Sequence, residues 1–164
     1  MKRRLLRGAG WMLLAALLSS CLTLEEQVLP EHVKTLGIPM WRNKTLEYGV
    51  EERLTDVVVQ EFLRDGRLRV VRPSDADALL LGEIIGYEIK GRQYDDEDHA
   101  IGFLVDVAVE VELLDARSGR PLVEKRRFNQ AGIFFDSPQP RQTRQDDVFI
   151  RLCEEIKSTV LEGW

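Results

Sequence analysis

Cysteine and histidine are scarce in this chain of 164 residues, each occurring twice, as Cys21 and Cys153 and as His32 and His99. Two cysteines permit at most one disulfide, which excludes a cystine-stapled scaffold. The two histidines stand 67 positions apart with no nucleophile or metal-ligand pattern around either. Neither a Cys/His catalytic pair nor a zinc set is therefore expected, and the sequence points to no enzyme and no cofactor. After Leu22 no apolar run approaches the roughly 20 residues a membrane-spanning helix needs. Internal repeats and low-complexity segments are also missing, so the chain is expected to build a single core.

What is present is concentrated first at the N-terminus. Lys2, Arg3, Arg4 and Arg7 precede an apolar stretch from Gly8 to Leu18, and Leu18-Ser19-Ser20-Cys21 follows. A basic segment, a short apolar segment and small residues before a cut form a secretory signal peptide. The four residues ending at Cys21 resemble the lipobox of bacterial lipoproteins, whose cysteine is acylated and becomes the new N-terminus. Residues 1–20 are thus expected to be removed, 21–30 to form a lipidated tether, and 31–164 to fold as one domain. Two or three acyl chains on Cys21 would hold it stably in a membrane, each buried CH₂ contributing about 0.8 kcal/mol. Leu22 after the cysteine, where enterobacterial lipoproteins retained at the inner membrane carry aspartate, points to the outer membrane.

Cleavage would leave 144 residues and, with four basic residues gone, move the formal charge from −5 to −9. So acidic a body disfavours nucleic acid, which is held mainly through cations on phosphates. Cys153 would then be alone in an oxidising compartment, and its neighbours Phe149, Leu152 and Ile156 place it on the apolar stripe of a helix.

Periodicity divides the domain. Val33 to Met40 reads as a strand ending near Pro39, and Val50, Leu54, Val57, Val58 and Phe62 recur at helical spacing until Gly66. Leu68 to Val71 forms a brief strand, and Arg72-Pro73-Ser74-Asp75 a turn. Leu79 to Tyr94 follows as a strand whose glycines at 82, 86 and 91 allow a bulge or a close backbone approach. Ile101 to Leu114 alternates most cleanly, and the turn Arg117-Ser118-Gly119-Arg120 leads into Leu122 to Phe135. Thr143-x-x-Asp146 reads as a capping box before a closing helix striped by Val148, Phe149, Leu152, Cys153, Ile156, Val160 and Leu161. The expected class is α+β: a two-layer sandwich of two helices packed on a mostly antiparallel sheet of about four strands.

Several blocks in this order resemble the LptE family of lipopolysaccharide-assembly lipoproteins. They are Leu29-Pro30, Val33-Lys34-Thr35-Leu36-Gly37-Ile38-Pro39, Asn43-Lys44-Thr45, Gly49-Val50-Glu51 and Leu54-Thr55, then Ala76 to Ile84 and the closing helix. Leu22-Thr23-Leu24-Glu25 departs from the Gly-Tyr stretch many members carry there, and Trp41 stands where the family leads one to expect phenylalanine. The resemblance implies an outer-membrane lipoprotein that sits as a plug in the lumen of the β-barrel LptD, helps that barrel assemble, and supports lipopolysaccharide insertion into the outer leaflet.

Lipopolysaccharide carries phosphates, so exposed cations are the binding candidates, arginine above all for its bidentate geometry. Lys90 and Arg92 form one group and Lys125, Arg126 and Arg127 another; were their strands neighbours, the groups would lie near each other at one end. The competing view is that both are solvated strand ends that discourage edge pairing. Asp95, Asp96, Glu97, Asp98 and His99 lack the glycine of an EF-hand loop and read as a solvated hairpin loop, so no metal is expected. Phe134, Phe135, Trp41 and Trp164 fit either core or partner contact. A different function also fits a small lipid-anchored α+β domain, activation of a periplasmic peptidoglycan synthase. The short tether argues for the barrel, since about eight residues reach at most about 3.3–3.6 Å each.

Overall fold

The computed structural model describes residues 29–94, 100–135 and 141–162, without side chains at 92–94, 100, 101, 134, 135 and 141–145. Six strands and two long helices follow in the order β1 (Thr35–Gly37), β2 (Arg42–Asn43), α1 (Val50–Asp65), β3 (Arg69–Val71), β4 (Ala78–Tyr94), β5 (Ala100–Asp115), β6 (Pro121–Phe135) and α2 (Arg141–Glu162). A single turn of 3₁₀ helix, Pro73–Asp75, precedes β4.

The strands make one sheet in the order β3-β1-β4-β5-β6, with β2 also paired to β4. β1 pairs parallel to both β3 and β4, and β2 parallel to β4, whereas β4, β5 and β6 form antiparallel hairpins. The α+β class holds, but the sheet is larger than the expected four strands and mixed. The physical reason is length: β1, β2 and β3 have three, two and three residues. Strands that short show no alternation, and their pairing depends on α1 carrying the chain back to a parallel neighbour. The expected strand over Val33 to Met40 is shortened to β1, which ends before Pro39, a residue with no N–H to give a ladder; β2 lies beyond the expected strand altogether.

Both helices cover one face. β5 shows why: Val105, Val107, Val109, Val111 and Leu113 are buried on that face, and Asp106, Glu110 and Glu112 alternate to the other. α1 contributes Val50, Leu54, Val58 and Phe62; α2 contributes Val148, Phe149, Leu152, Cys153, Ile156 and Val160. Each fully buried side chain of this kind contributes about 1.5–3 kcal/mol. Gly66 ends α1 in the left-handed conformation at φ 74°, its N–H donating to the Phe62 carbonyl at 3.2 Å. Such a cap needs glycine because a Cβ is penalised there.

α2 begins at Arg141, so Thr143 lies inside the first turn and cannot be its cap. The side chain of Thr143 lies outside the described residues; Asp146 accepts from Arg53 of α1 at 3.0 Å. The Arg53 guanidinium also lies 5.4 Å from the centre of the Phe149 ring, which fastens the two helices together. Deeper in the seam, buried Glu61 of α1 accepts from Arg64 and, at 3.1 Å, from Lys157 of α2.

Two bulges in β4 fall at Ile84/Gly86 and Gly91/Gln93, as its glycines lead one to expect. The third glycine, Gly82, admits a close approach: the indole of Trp41 sits where its side chain would be. Trp41 is therefore core, 2% exposed, and its Nε1 has no hydrogen-bond partner. The acidic stretch 95–99, the side chains of Phe134 and Phe135, and Trp164 lie outside the described residues.

Candidate functional site

The sheet face away from the helices carries the polar chemistry. Side chains on a strand alternate between faces, so register decides which of them meet. Glu83 of β4 stands opposite Glu110 of β5, which stands opposite Arg127 of β6. Directly opposed like charges repel unless cations separate them. Here Arg42 and Lys44 on and beside β2 approach Glu83 at 3.3 and 2.8 Å, and Lys125 approaches Glu110 at 3.9 Å. The hydrogen bond from Lys44, aided by the charges of Arg42 and Lys125, holds the Glu83 carboxyl below its ordinary range despite burial. Met40, Arg42, Leu81, Glu83, Glu110 and Lys125 line a shallow cleft.

A second shallow cleft adjoins it along the strands, lined by Gly86, Glu88, Asp106, Ala108, Arg127 and Asn129. Arg127 donates through Nε to Asn129 at 3.1 Å, and Lys90 pairs with Glu88 at 2.7 Å. The arrangement holds charge without a nucleophile beside a base. Among the described residues no group of three or more His, Cys, Asp or Glu could hold a metal ion.

The sequence-derived candidates do not form one site. Lys125 and Arg127 share the open face and its clefts. Lys90 is on the same face but opposite Leu104, six residues along β5 from the Glu110 partner of Arg127. At about 3.3 Å per residue this is some 20 Å. β4 and β6 are moreover separated by β5, so the expected meeting of the two groups at one end does not occur. Arg126 stands opposite Val111, on the helix side of the sheet. Arg92 lies in β4, its side chain outside the described residues.

Three groups went unseen in the sequence. Asp77 accepts from Thr35 Oγ1 at 2.8 Å and from the backbone amides of Lys34 and Thr35 at 3.2 Å each, clamping the start of β1 to β4. Asp115 accepts from His32 at 2.5 Å, from the Ser118 amide at 2.8 Å and from the Arg117 amide at 2.9 Å. These partners, Ser118 first, hold its carboxyl well below the ordinary range. Pairs 42 and 83 residues apart leave no local signal. Leu46 and Tyr48, each 96% exposed, leave little more: Leu46 stands four residues before Val50, in step with the helical stripe, and only Tyr48 is out of phase with it.

No curated protein matches this chain. Among solved structures, a Xanthomonas campestris protein is 15% identical over 82% of this chain and 90% of its own, with a TM-score of 0.55. A PelC dodecamer from Paraburkholderia phytofirmans is 14% identical over 83% and 93%, with a TM-score of 0.53. A minor lipoprotein from Acinetobacter baumannii is 14% identical over 80% and 94%, at 0.50. At such identities the likeness is one of fold alone. Residues 33–160 match the family model LptE, described as lipopolysaccharide-assembly.

Proposed function

This chain belongs to the LptE lipopolysaccharide-assembly family, and from that membership we propose that it is an outer-membrane lipoprotein that occupies the lumen of the β-barrel LptD. There it assists assembly of the barrel and supports passage of lipopolysaccharide to the outer leaflet. The observation that carries this reading is the family match over 33–160, nearly the whole folded domain. The open face of the sheet, where paired charges line two clefts, is the surface this reading assigns to ionic contact. No helix among the described residues is long and apolar enough to cross a membrane. In this proposal attachment falls to acylated Cys21, with residues 1–20 removed as signal peptide, 21–30 serving as the tether and 31–164 as the folded domain.

For the head group of lipopolysaccharide, Lys125 and Arg127 are the proposed contacts, with Lys90, Arg92 and Arg126 as separate outlying cations. The first two are among the residues that line the two open clefts. Arginine and lysine so placed make charge-assisted bonds about twice as strong as neutral ones. Charge reversal at Lys125 and Arg127 is expected to weaken lipopolysaccharide binding by the folded protein, and unchanged binding would remove them from the role.

The test of the larger proposal is affinity purification of the tagged full-length protein from detergent-solubilised outer membranes. A large β-barrel retained in stoichiometric amount through stringent washing is the expected result. Recovery of a peptidoglycan synthase in its place would transfer the proposal to an activator of that enzyme.

A further inference from the structure

The segment joining β2 to α1 holds two large apolar side chains in water. Leu46 and Tyr48 are each 96% exposed, more than any other large hydrophobic residue among the described ones. Isolated exposed apolar residues are common and need no explanation. These differ in that the backbone beneath them is fastened.

Asn43 organises the turn. Its Oδ1 accepts from the Thr45 amide at 2.8 Å and the Thr45 hydroxyl at 2.7 Å. Its Nδ2 donates to the Glu47 carbonyl at 2.7 Å and to the Glu51 carboxylate at 2.8 Å. The Lys44 amide donates to the Ile84 carbonyl at 2.9 Å, which pins the near end to β4, and Gly49 turns the far end into α1 at φ 78°. Such bonds reduce the conformational freedom that remains to be lost when a surface docks, so a fastened loop binds more tightly than a loose one. Tyrosine is also among the residues most often found as interface anchors, having an apolar ring and a polar tip.

We propose that this loop is a docking anchor, with Leu46 and Tyr48 seated in an apolar socket on a protein partner. The partner's rim carries a cation facing Glu47. Charge selects a protein over a lipid surface: Glu47, exposed between the two apolar residues, would be driven against anionic head groups if the loop entered a membrane. The nearby cations do not offset this: Arg42 and Lys44 stand against Glu47, Glu51 and Glu83, which leaves this region one charge negative. Position agrees. The chain enters the sheet beside Asp77, and the loop leaves it beside Ile84, seven residues or about 23 Å further along β4. The anchor thus stands well up the sheet from the end to which Cys21 is tied. The inference rests on the barrel reading above and assigns the surface that meets the barrel wall.

The test uses the full-length lipidated protein in its own outer membrane, with a photocrosslinking residue at position 48 and, separately, the double variant Leu46→Ser/Tyr48→Ser. The expected results are a crosslink to the large barrel and at least about a tenfold loss of barrel retention by the double variant, with its unfolding midpoint unchanged. If the unaltered protein retains the barrel while position 48 yields no barrel adduct and the double variant is retained equally, the docking proposal falls and the barrel reading stands. A crosslink to lipid overturns it likewise. Should the unaltered protein retain no barrel, the barrel reading itself fails, and the docking proposal with it.

Discussion

The indole of Trp41 fills the space that a side chain at position 82 would need: a Cβ on Gly82 would stand 2.0 Å from Cδ2 of the ring. The neighbour is a rigid, buried bicycle with nowhere to retreat. Gly82→Ala is therefore expected to lower unfolding stability by about 1–3 kcal/mol, read from urea denaturation. A loss below about 0.5 kcal/mol, within the scatter of surface substitutions, would contradict this packing.

Trp41→Phe tests the same contact from the other side. Phenylalanine leaves a smaller ring over Gly82 but removes the buried Nε1–H that has no partner. A lost packing term and a relieved desolvation cost, each about 1–3 kcal/mol, oppose one another. The variant is expected to unfold within about 1 kcal/mol of the parent, whereas Trp41→Ala, which relieves the same Nε1–H but opens a far larger cavity, should lose about 3–5 kcal/mol.

Glu61 is 5% exposed and holds Lys157 across the helix seam. Removing one partner of a buried pair leaves the other charge uncompensated, at a cost of about 3–5 kcal/mol. Glu61→Ala should approach that loss; the double change Glu61→Leu/Lys157→Met should recover most of it in the same denaturation assay.

Asp115 governs the response to acid. Its carboxyl is held below the ordinary range in the folded chain, so the unfolded chain binds protons more readily. The stability this contributes is fully present above the unfolded value of about 3.9 and is lost as pH falls toward the folded value. Asp77, lowered chiefly by Thr35, acts in the same sense. Between pH 5 and pH 2 the parent should lose stability more steeply than Asp115→Asn in matched unfolding scans.

Cys153 is buried, and burial, with the Glu61 charge beside it, pushes its thiol up to about 12. Since the thiolate is the reactive form, a maleimide or disulfide reagent at pH 8 should leave the native protein unmodified. It should label the chain stoichiometrically in strong denaturant. Rapid native labelling would place the thiol outside the core.

The long elements were readable because their periodicity extends over many residues. The stripe Val50, Leu54, Val58, Phe62 and the alternation from Val105 to Leu113 each report a single buried face. β1, β2 and β3 were not readable as parallel partners, since Arg42–Asn43 has no pattern to show and Thr35–Gly37 owes its place to α1 and Asp77. The cations were visible as residues but not as a site. Lys125 and Arg127 reach one face while Arg126 is turned to the other, and whether Lys90 is near them depends on register across β5. Leu46 continues the i, i+4 series of α1 backwards in the sequence, so periodicity alone assigns it to the buried stripe, and only the Asn43 hydrogen bonds distinguish a fastened loop there from an ordinary turn.

β4 joins the two halves of the sheet, pairing with β1 and β2 on one side and β5 on the other. Its antiparallel neighbours are reached by hairpins, whereas Leu36 must wait for Ala78, 42 residues later. Local closure comes first and distant closure afterwards. As the chain emerges N-terminus first, β1, β2 and α1 are exposed before the strand that covers them exists. Leu36, Val50 and Leu54 therefore wait for their cover until the chain has run on past Ala78.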